Sequence, residues 1–553
     1  MERLDSTASN VNRPTTIGAN GMVTSTHYLA SQAGLEVLEQ GGNAVEAAIA
    51  AASTIAVVNP PMNSIGGDNF WLIYNAKTDE LKALNASGRA GEKATIDFFT
   101  SKGYSEIPVR GYLAANTVPG AISGWGEAYH YAKTAMGSKF SWDKLLTTAI
   151  DYAESGFPVG GVMARNIQAV LRPDPVYADL GRFEGFRSTY LKADGTCYQL
   201  GEVFKQKDLA RTLQIIAQKG TNGFYQGEIA EKMAADLQAN GGVLTLGDFA
   251  RHKANWVDPI AVPYRQYTAY NLPPNTQGLA SLTILNILNN YDLKNMGEGS
   301  ADYYHVLVEA TKQAFADRDK WVTDPEFVSI PLKKLLSVKH GADLAGRIDM
   351  NQAAGTVQPL DPNGDTIWLG VVDKDGNAVS LIQSIYHGFG SGIVPQGTGV
   401  LLQNRGCFFS LDPNHINRIE PGKRTMHTLN PAMLFKAGKP YLVYGTMGGE
   451  GQGQTQAAMV TRIVDFNFSV QDAITAPRFV HGRTSGAPVN DLRIEGRVAK
   501  DVVQELIVRG HPLKVVEDYN EIMGHAGGIL IDPVTKLKYG GADPRGDGTA
   551  VGY

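Results

Sequence analysis

The chain has only two cysteines, Cys197 and Cys407, among 553 residues, too few for a disulfide framework. Its longest apolar window, Ala47 to Val58, falls short of the roughly 18 uncharged residues of a membrane-spanning helix. Charge of one sign is missing too. Fifty basic residues stand against fifty-five acidic ones, a net charge of −5, and so close a balance gives no electrostatic footprint for nucleic acid or an anionic membrane. The opening MERLDSTASNVNRPTT is polar and lacks the apolar core of a signal peptide, so a soluble, cytoplasmic protein is expected. HExxH, paired CxxC and EF-hand patterns are absent, and neither a metal nor another cofactor is expected. The glycine cluster Gly448 to Gln454 lacks the third glycine of GxGxxG. Gly422-Lys423 is followed by Arg424 where a phosphate loop needs Ser or Thr, and no GxSxG elbow occurs. Dehydrogenase, kinase and α/β-hydrolase readings thereby lose their main support.

What is present is an ordinary globular composition, 43% hydrophobic and 19% charged, on a chain too long for a single small module. Its 62 glycines are scattered without period, which excludes a collagen-like chain and implies many tight turns. From Thr26 to Val58 two amphipathic stretches flank a Gly41-Gly42-Asn43 break, and Asn59-Pro60-Pro61 ends the second. Residues from about Thr117 to Val338 read mostly as helix. After about Gly355 the pattern changes: TIWLGVVD and AVSLIQSI flank a hairpin signal at Asp375-Gly376, and strand pairs recur in PAMLFKAGKPYLVYG and GGILIDPVTKLKYGG. Helix-like segments, GQTQAAMVTRIVDF and KDVVQELIVRG, lie between those pairs. Hairpin-linked strands with helices in blocks predict an α+β chain, an antiparallel sheet covered by helices.

The sharpest local feature is Asn363-Gly364-Asp365-Thr366 running straight into an apolar strand. A threonine hydroxyl is a weak nucleophile and needs a base within hydrogen-bond reach. If the Asp365–Thr366 bond is cut, the freed α-amine, with an ordinary pKa of ~7.7–8.0, can serve as that base. A strand-opening β-branched residue after a turn would look the same in isolation.

The surroundings decide between these readings. The stretches GDTIWLGVVDKDGNAVSLIQSIYHGFGSGI, LLQNRGCFFS and GKRTMHTLNPAMLFKAGKPYLVYGTMGGEG closely resemble the γ-glutamyltransferase family of self-cleaving N-terminal-nucleophile (Ntn) hydrolases. So do GGNAVEAAIAAASTIAVVNPPMNSIGGDNF, SGRAGEKA, NTVPGAISGW, APRF and the closing YGGADPRGDGTAVGY, in the family's order across the chain. The resemblance implies an αββα sandwich cut into a large subunit, 1–365, and a small one, 366–553, which together form one domain with a helical portion around 117–338. It places the nucleophile on Thr366, a supporting hydroxyl on Ser384, the oxyanion glycines on Gly448 and Gly449, and the arginine that grips the substrate carboxylate on Arg89. The two fragments are expected to stay together as a heterodimer; whether heterodimers pair again is left open.

The chain also departs from the family. Where the substrate's α-amine is held by Asn, Gln and Asp, the matching positions carry Tyr386, Arg405 and Phe408, and the paired serines beside the carboxylate become His427 and Thr428. A cation in place of an acidic partner makes an ammonium group unwelcome. The expected substrate is therefore a small amide with a carboxylate and no α-amine, such as oxamate. The alternatives are an ordinary γ-glutamyltransferase or glutathione hydrolase, a glutaryl-type cephalosporin acylase, and a catalytically silent structural descendant.

Overall fold

The computed structural model describes residues 13–171, 177, 180–355, 365–482 and 491–553; Asn363 and Gly364 of the expected processing segment lie outside these. Two seven-stranded sheets form the centre. In the first, the order is Thr16–Gly18, Lys538–Ala542, Ala526–Ile531, Lys439–Thr446, Ala432–Lys436, Tyr267–Asn271, Ile260–Tyr264. In the second, it is Thr549–Gly552, Met22–Ser25, Asp365–Val372, Ala378–Tyr386, Asp68–Asn75, Glu80–Ala86, Asn255–Val257. Every neighbouring pair in both sheets is antiparallel.

The alternation of a strand's side chains sorts residues between the layers. Along Asp365–Val372, Ile367, Leu369 and Val371 face outward into a core shared with the helix Ala44–Val58. Trp368 and Val372 face inward, against Phe70, Ile382, Met433, Val443 and Ile529 of the inter-sheet layer. The indole of Trp368 fits because two strands opposite it carry glycine: a Cβ on Gly445 would lie 2.2 Å, and one on Gly527 2.6 Å, from its atoms. Its Nε1 donates to Ser380 Oγ at 2.9 Å, so the only polar atom of the ring is satisfied. Helices Gly278–Leu288, Ala301–Trp321 and Gly451–Val464 cover the outer face of the first sheet through Leu434, Leu442, Tyr444 and Leu530. The layers thus run helix, sheet, sheet, helix, the expected αββα sandwich.

The expected hairpins form: Val372 pairs with Ala378 across a turn in which Gly376 takes φ 87°. Asp373 closes this turn by accepting from the amides of Asp375 and Asn377, and its other oxygen accepts from Ala44 N at the start of the covering helix. The stretch expected to be mostly helical also contributes three strands to the two central sheets, Asn255–Val257, Ile260–Tyr264 and Tyr267–Asn271. The first ends one sheet and the other two end the opposite one. At three to five residues they are too short to display a period of two. Among the described residues no helix is long and apolar enough to cross a membrane.

Candidate active site

Inward alternation carries Thr366 and Ser384 to the same end of the inter-sheet layer, on adjacent strands. The register slips between Asp365 and Ile367, a bulge that leaves Thr366 without a direct partner across the ladder. Thr366 Oγ1 donates to Ser384 Oγ at 3.1 Å, and both residues are buried. Ser384 Oγ also accepts the Tyr386 amide at 2.8 Å. Tyr386 reaches that position with φ 80°, a left-handed conformation costly for a bulky residue, so strain is stored where the strand stops. Gly67 permits the approach from the other side: a Cβ there would lie 2.1 Å from the Ser384 carbonyl oxygen.

Gly448 and Gly449 link the strand Lys439–Thr446 to the helix Gly451–Val464, with φ 121° and 53°. Their carbonyls are engaged. Gly448 O accepts from Gly451 N, and Gly449 O accepts from Gln277 Nε2 at 2.9 Å. Neither amide N–H has an acceptor among the described residues, and both sit at the positive end of the helix. Beside them, Glu450 is paired with the buried Arg318 at 3.1 Å.

The third part of the site centres on Arg405, in a short helical turn, Arg405–Phe408. Its guanidinium is buried, lying 3.9 Å from the centre of the Tyr386 ring and 5.5 Å from that of Phe408. Nη1 donates to Thr428 Oγ1 at 3.1 Å, while Nε and Nη2 have no protein acceptor among the described residues. Gln277 ties this group to the glycines, because its Nε2 also donates to Thr428 O at 2.7 Å.

Burial pushes the carboxyl of Asp68 up to about 7 against the opposing pull of Gln403, Arg405 and the amides of Gly88 and Gly120. Asp68 stands across the ladder from Ser384, and its Oδ2 meets His427 Nε2 at 3.2 Å. Burial, with the charge of Arg405, holds His427 neutral, so the contact is a neutral imidazole N–H donating to the carboxyl rather than an ion pair. Asp68 was missed in the sequence; an acidic residue directly after Gly66-Gly67 and before the apolar run FWLIY was the available signal.

Of the residues singled out from sequence, the structure brings together Thr366 with Ser384, and Arg405 with Tyr386, Phe408 and Thr428, and places His427 on Asp68. Arg89 lies apart from them. Its guanidinium is bound to Asp324, Glu326 and the Gly422 carbonyl, and it lines a separate cleft with Arg251 and His252.

The sandwich and the hydroxyl pair at the head of an inner strand are those of an Ntn hydrolase acting on amide C–N bonds. The chain belongs to the gamma-glutamyltranspeptidase family, whose model, Gamma-glutamyltranspeptidase, matches residues 30–553. It is 45% identical to the glutathione hydrolase-like YwrD proenzyme of Bacillus subtilis over 97% of this chain and 99% of that one. It is 43% identical to the oxamate amidohydrolase proenzyme of Klebsiella pneumoniae, again over 97% and 99%. Among solved structures, the cephalosporin acylase from Bacillus halodurans superposes with a TM-score of 0.89 at 37% identity, covering 100% of this chain and 99% of that one.

Proposed function

We propose that the protein is a self-processing amidohydrolase of small amides that carry a carboxylate and no α-amine, with oxamate as the type substrate. The observation that carries the reading is the buried Arg405 between Tyr386 and Phe408, where a substrate ammonium would need an acceptor. The 43% identity to an oxamate amidohydrolase proenzyme supports it.

In processing, Thr366 Oγ attacks the Asp365 carbonyl carbon, the peptide C–N bond breaks, and the acyl group passes to oxygen. Water then hydrolyses this ester, leaving the carboxylate of Asp365 and the α-amine of Thr366. In turnover that amine takes the hydroxyl proton as Thr366 Oγ attacks the amide carbonyl. The amides of Gly448 and Gly449 receive the developing oxyanion. The proton passes to the leaving amine, and water releases the acid from the acyl-enzyme. Both sheets pair strands from before residue 366 with strands from after it, so the fragments stay together as a heterodimer held by strand pairing.

Two measurements test this. Thr366→Ala should run as one uncut chain of 59.5 kDa, because no hydroxyl remains for the acyl shift; two fragments from that variant would remove Thr366 as the nucleophile. The processed protein should have a higher kcat/KM for oxamate than for γ-glutamyl-p-nitroanilide or glutaryl-p-nitroanilide. A clear win for the γ-glutamyl compound would establish the glutathione-hydrolase alternative instead.

A further inference from the structure

Arg405 has the features of a built anion receptor. A buried guanidinium has five N–H donors to satisfy, and leaving any of them unmet costs free energy. Here Nη1 is spent on Thr428 Oγ1, and the aromatic faces of Tyr386 and Phe408 hold the plane. The Nε–Nη2 edge is the side of the fork that a carboxylate takes with two parallel hydrogen bonds, and it has no protein acceptor among the described residues. No carboxylate lies within ion-pair distance among those residues either. Asp68 acts on Arg405 only at longer range, and is itself occupied by His427, Gln403 and the Gly88 and Gly120 amides. Burial lowers the guanidinium to about 10, so it remains charged at neutral pH.

Its place relative to the reacting groups follows from two short chains of contacts. Arg405 stacks on Tyr386, whose amide is bonded to Ser384 Oγ, which in turn accepts from Thr366 Oγ1. On the other side Arg405 holds Thr428, whose carbonyl shares Gln277 Nε2 with Gly449. The receptor is thus braced against both the nucleophile and the candidate oxyanion pair. Arg89 offers the opposite picture, with its donors already committed to two carboxylates and a carbonyl.

We infer that the Nε–Nη2 edge of Arg405, braced by Thr428, is the group that binds the substrate's carboxylate, a role that the family resemblance gives to Arg89. The inference rests on the amidohydrolase reading for the identity of the substrate, but not for the existence of the anion site.

The test compares the processed wild-type protein with Arg405→Met, Arg405→Lys and Arg89→Gln, using oxamate and its neutral counterpart oxamide. Arg405→Met should lower kcat/KM for oxamate by about 100-fold or more, the scale for losing one partner of a buried charge pair, and lower that for oxamide far less, so that the ratio of oxamate to oxamide collapses. Arg405→Lys, with charge but no fork, should fall between, and Arg89→Gln should keep the wild-type ratio of oxamate to oxamide. An equal fall for both amides in Arg405→Met, or a collapse of the ratio in Arg89→Gln, overturns the assignment. Oxalate, which has no amide to cleave, separates the site from the reaction. It should raise the Tm of wild type and Arg89→Gln but not that of Arg405→Met. If wild type hydrolyses neither amide yet shows this oxalate pattern, the substrate reading fails and the anion site stands. If oxalate raises no Tm, or raises that of Arg405→Met equally, the anion site fails.

Discussion

At the scale of single residues, the site depends on one hydroxyl that accepts two hydrogen bonds. Ser384 Oγ fixes the rotamer of Thr366 and satisfies the amide of the strained Tyr386 together. Ser384→Ala should therefore lower kcat by about 10–100-fold and slow the appearance of the two fragments, because the proposed nucleophile, Thr366, loses its orienting partner. Ser384→Thr, which restores the hydroxyl, should recover most of the rate. Single-turnover kinetics and a time course on a denaturing gel check this, and an alanine variant that processes and turns over normally would sink it. The meeting of Thr366 and Ser384 was legible because both stand on apolar strands within a family pattern, one at the head and one near the end. The direction of an arginine side chain was not. Arg89 is turned by Asp324 and Glu326, 235 and 237 positions further along the chain, which no local motif encodes.

At the scale of elements, the hairpins were readable from turn chemistry: Asp375-Gly376, Ala437-Gly438 and the segment joining Ile531 to Lys538 all lie between paired strands. The strands of the two central sheets that escaped notice are three to five residues long, among them Met22–Ser25 and Thr549–Gly552 from opposite ends of the chain, and they owe their conformation to partners rather than to pattern. Close packing between the sheets supplies a test of the sandwich itself. Gly445 lies under Trp368, and its value is the missing Cβ. Gly445→Ala should destabilise the protein by about 1–3 kcal/mol, since the indole is also pinned through Nε1 to Ser380 and cannot simply swing away. A urea midpoint unchanged from wild type would mean that the sheets can separate locally without cost. Because Thr366 is two residues from Trp368 on the same inward face, the same variant should also lower kcat.

At the scale of the whole molecule, the interleaving of strands from before and after residue 366 makes the fold one cooperative body, so its pH dependence is set by buried groups throughout the sandwich. Burial lowers His27 to about 4, partly offset by Asp547, and lowers His481 and His511 to about 3, helped by the nearby Lys312. His427 is lowered in the same direction. All four are held neutral in the native state, whereas in the unfolded chain they take up a proton as the pH drops through 6.5. Between that pH and about 3 the unfolded state therefore binds more protons, and stability must fall as the solution is acidified. Asp68 works with the opposite sign. Its carboxyl, raised to about 7, keeps a proton in the native state that the unfolded chain has already lost, so its contribution weakens as pH rises from 3.8 towards 7. Burial lowers His252 to about 3 and also lowers His305 and His415, while it raises Asp236 and Asp373 as it does Asp68; the histidines outnumber the raised carboxyls, which gives a net loss on acidification. The Tm should accordingly drop steadily from pH 7 to pH 4, and His481→Gln should flatten that slope. A Tm independent of pH across this range would show that these histidines are charged in the folded protein, contrary to their burial.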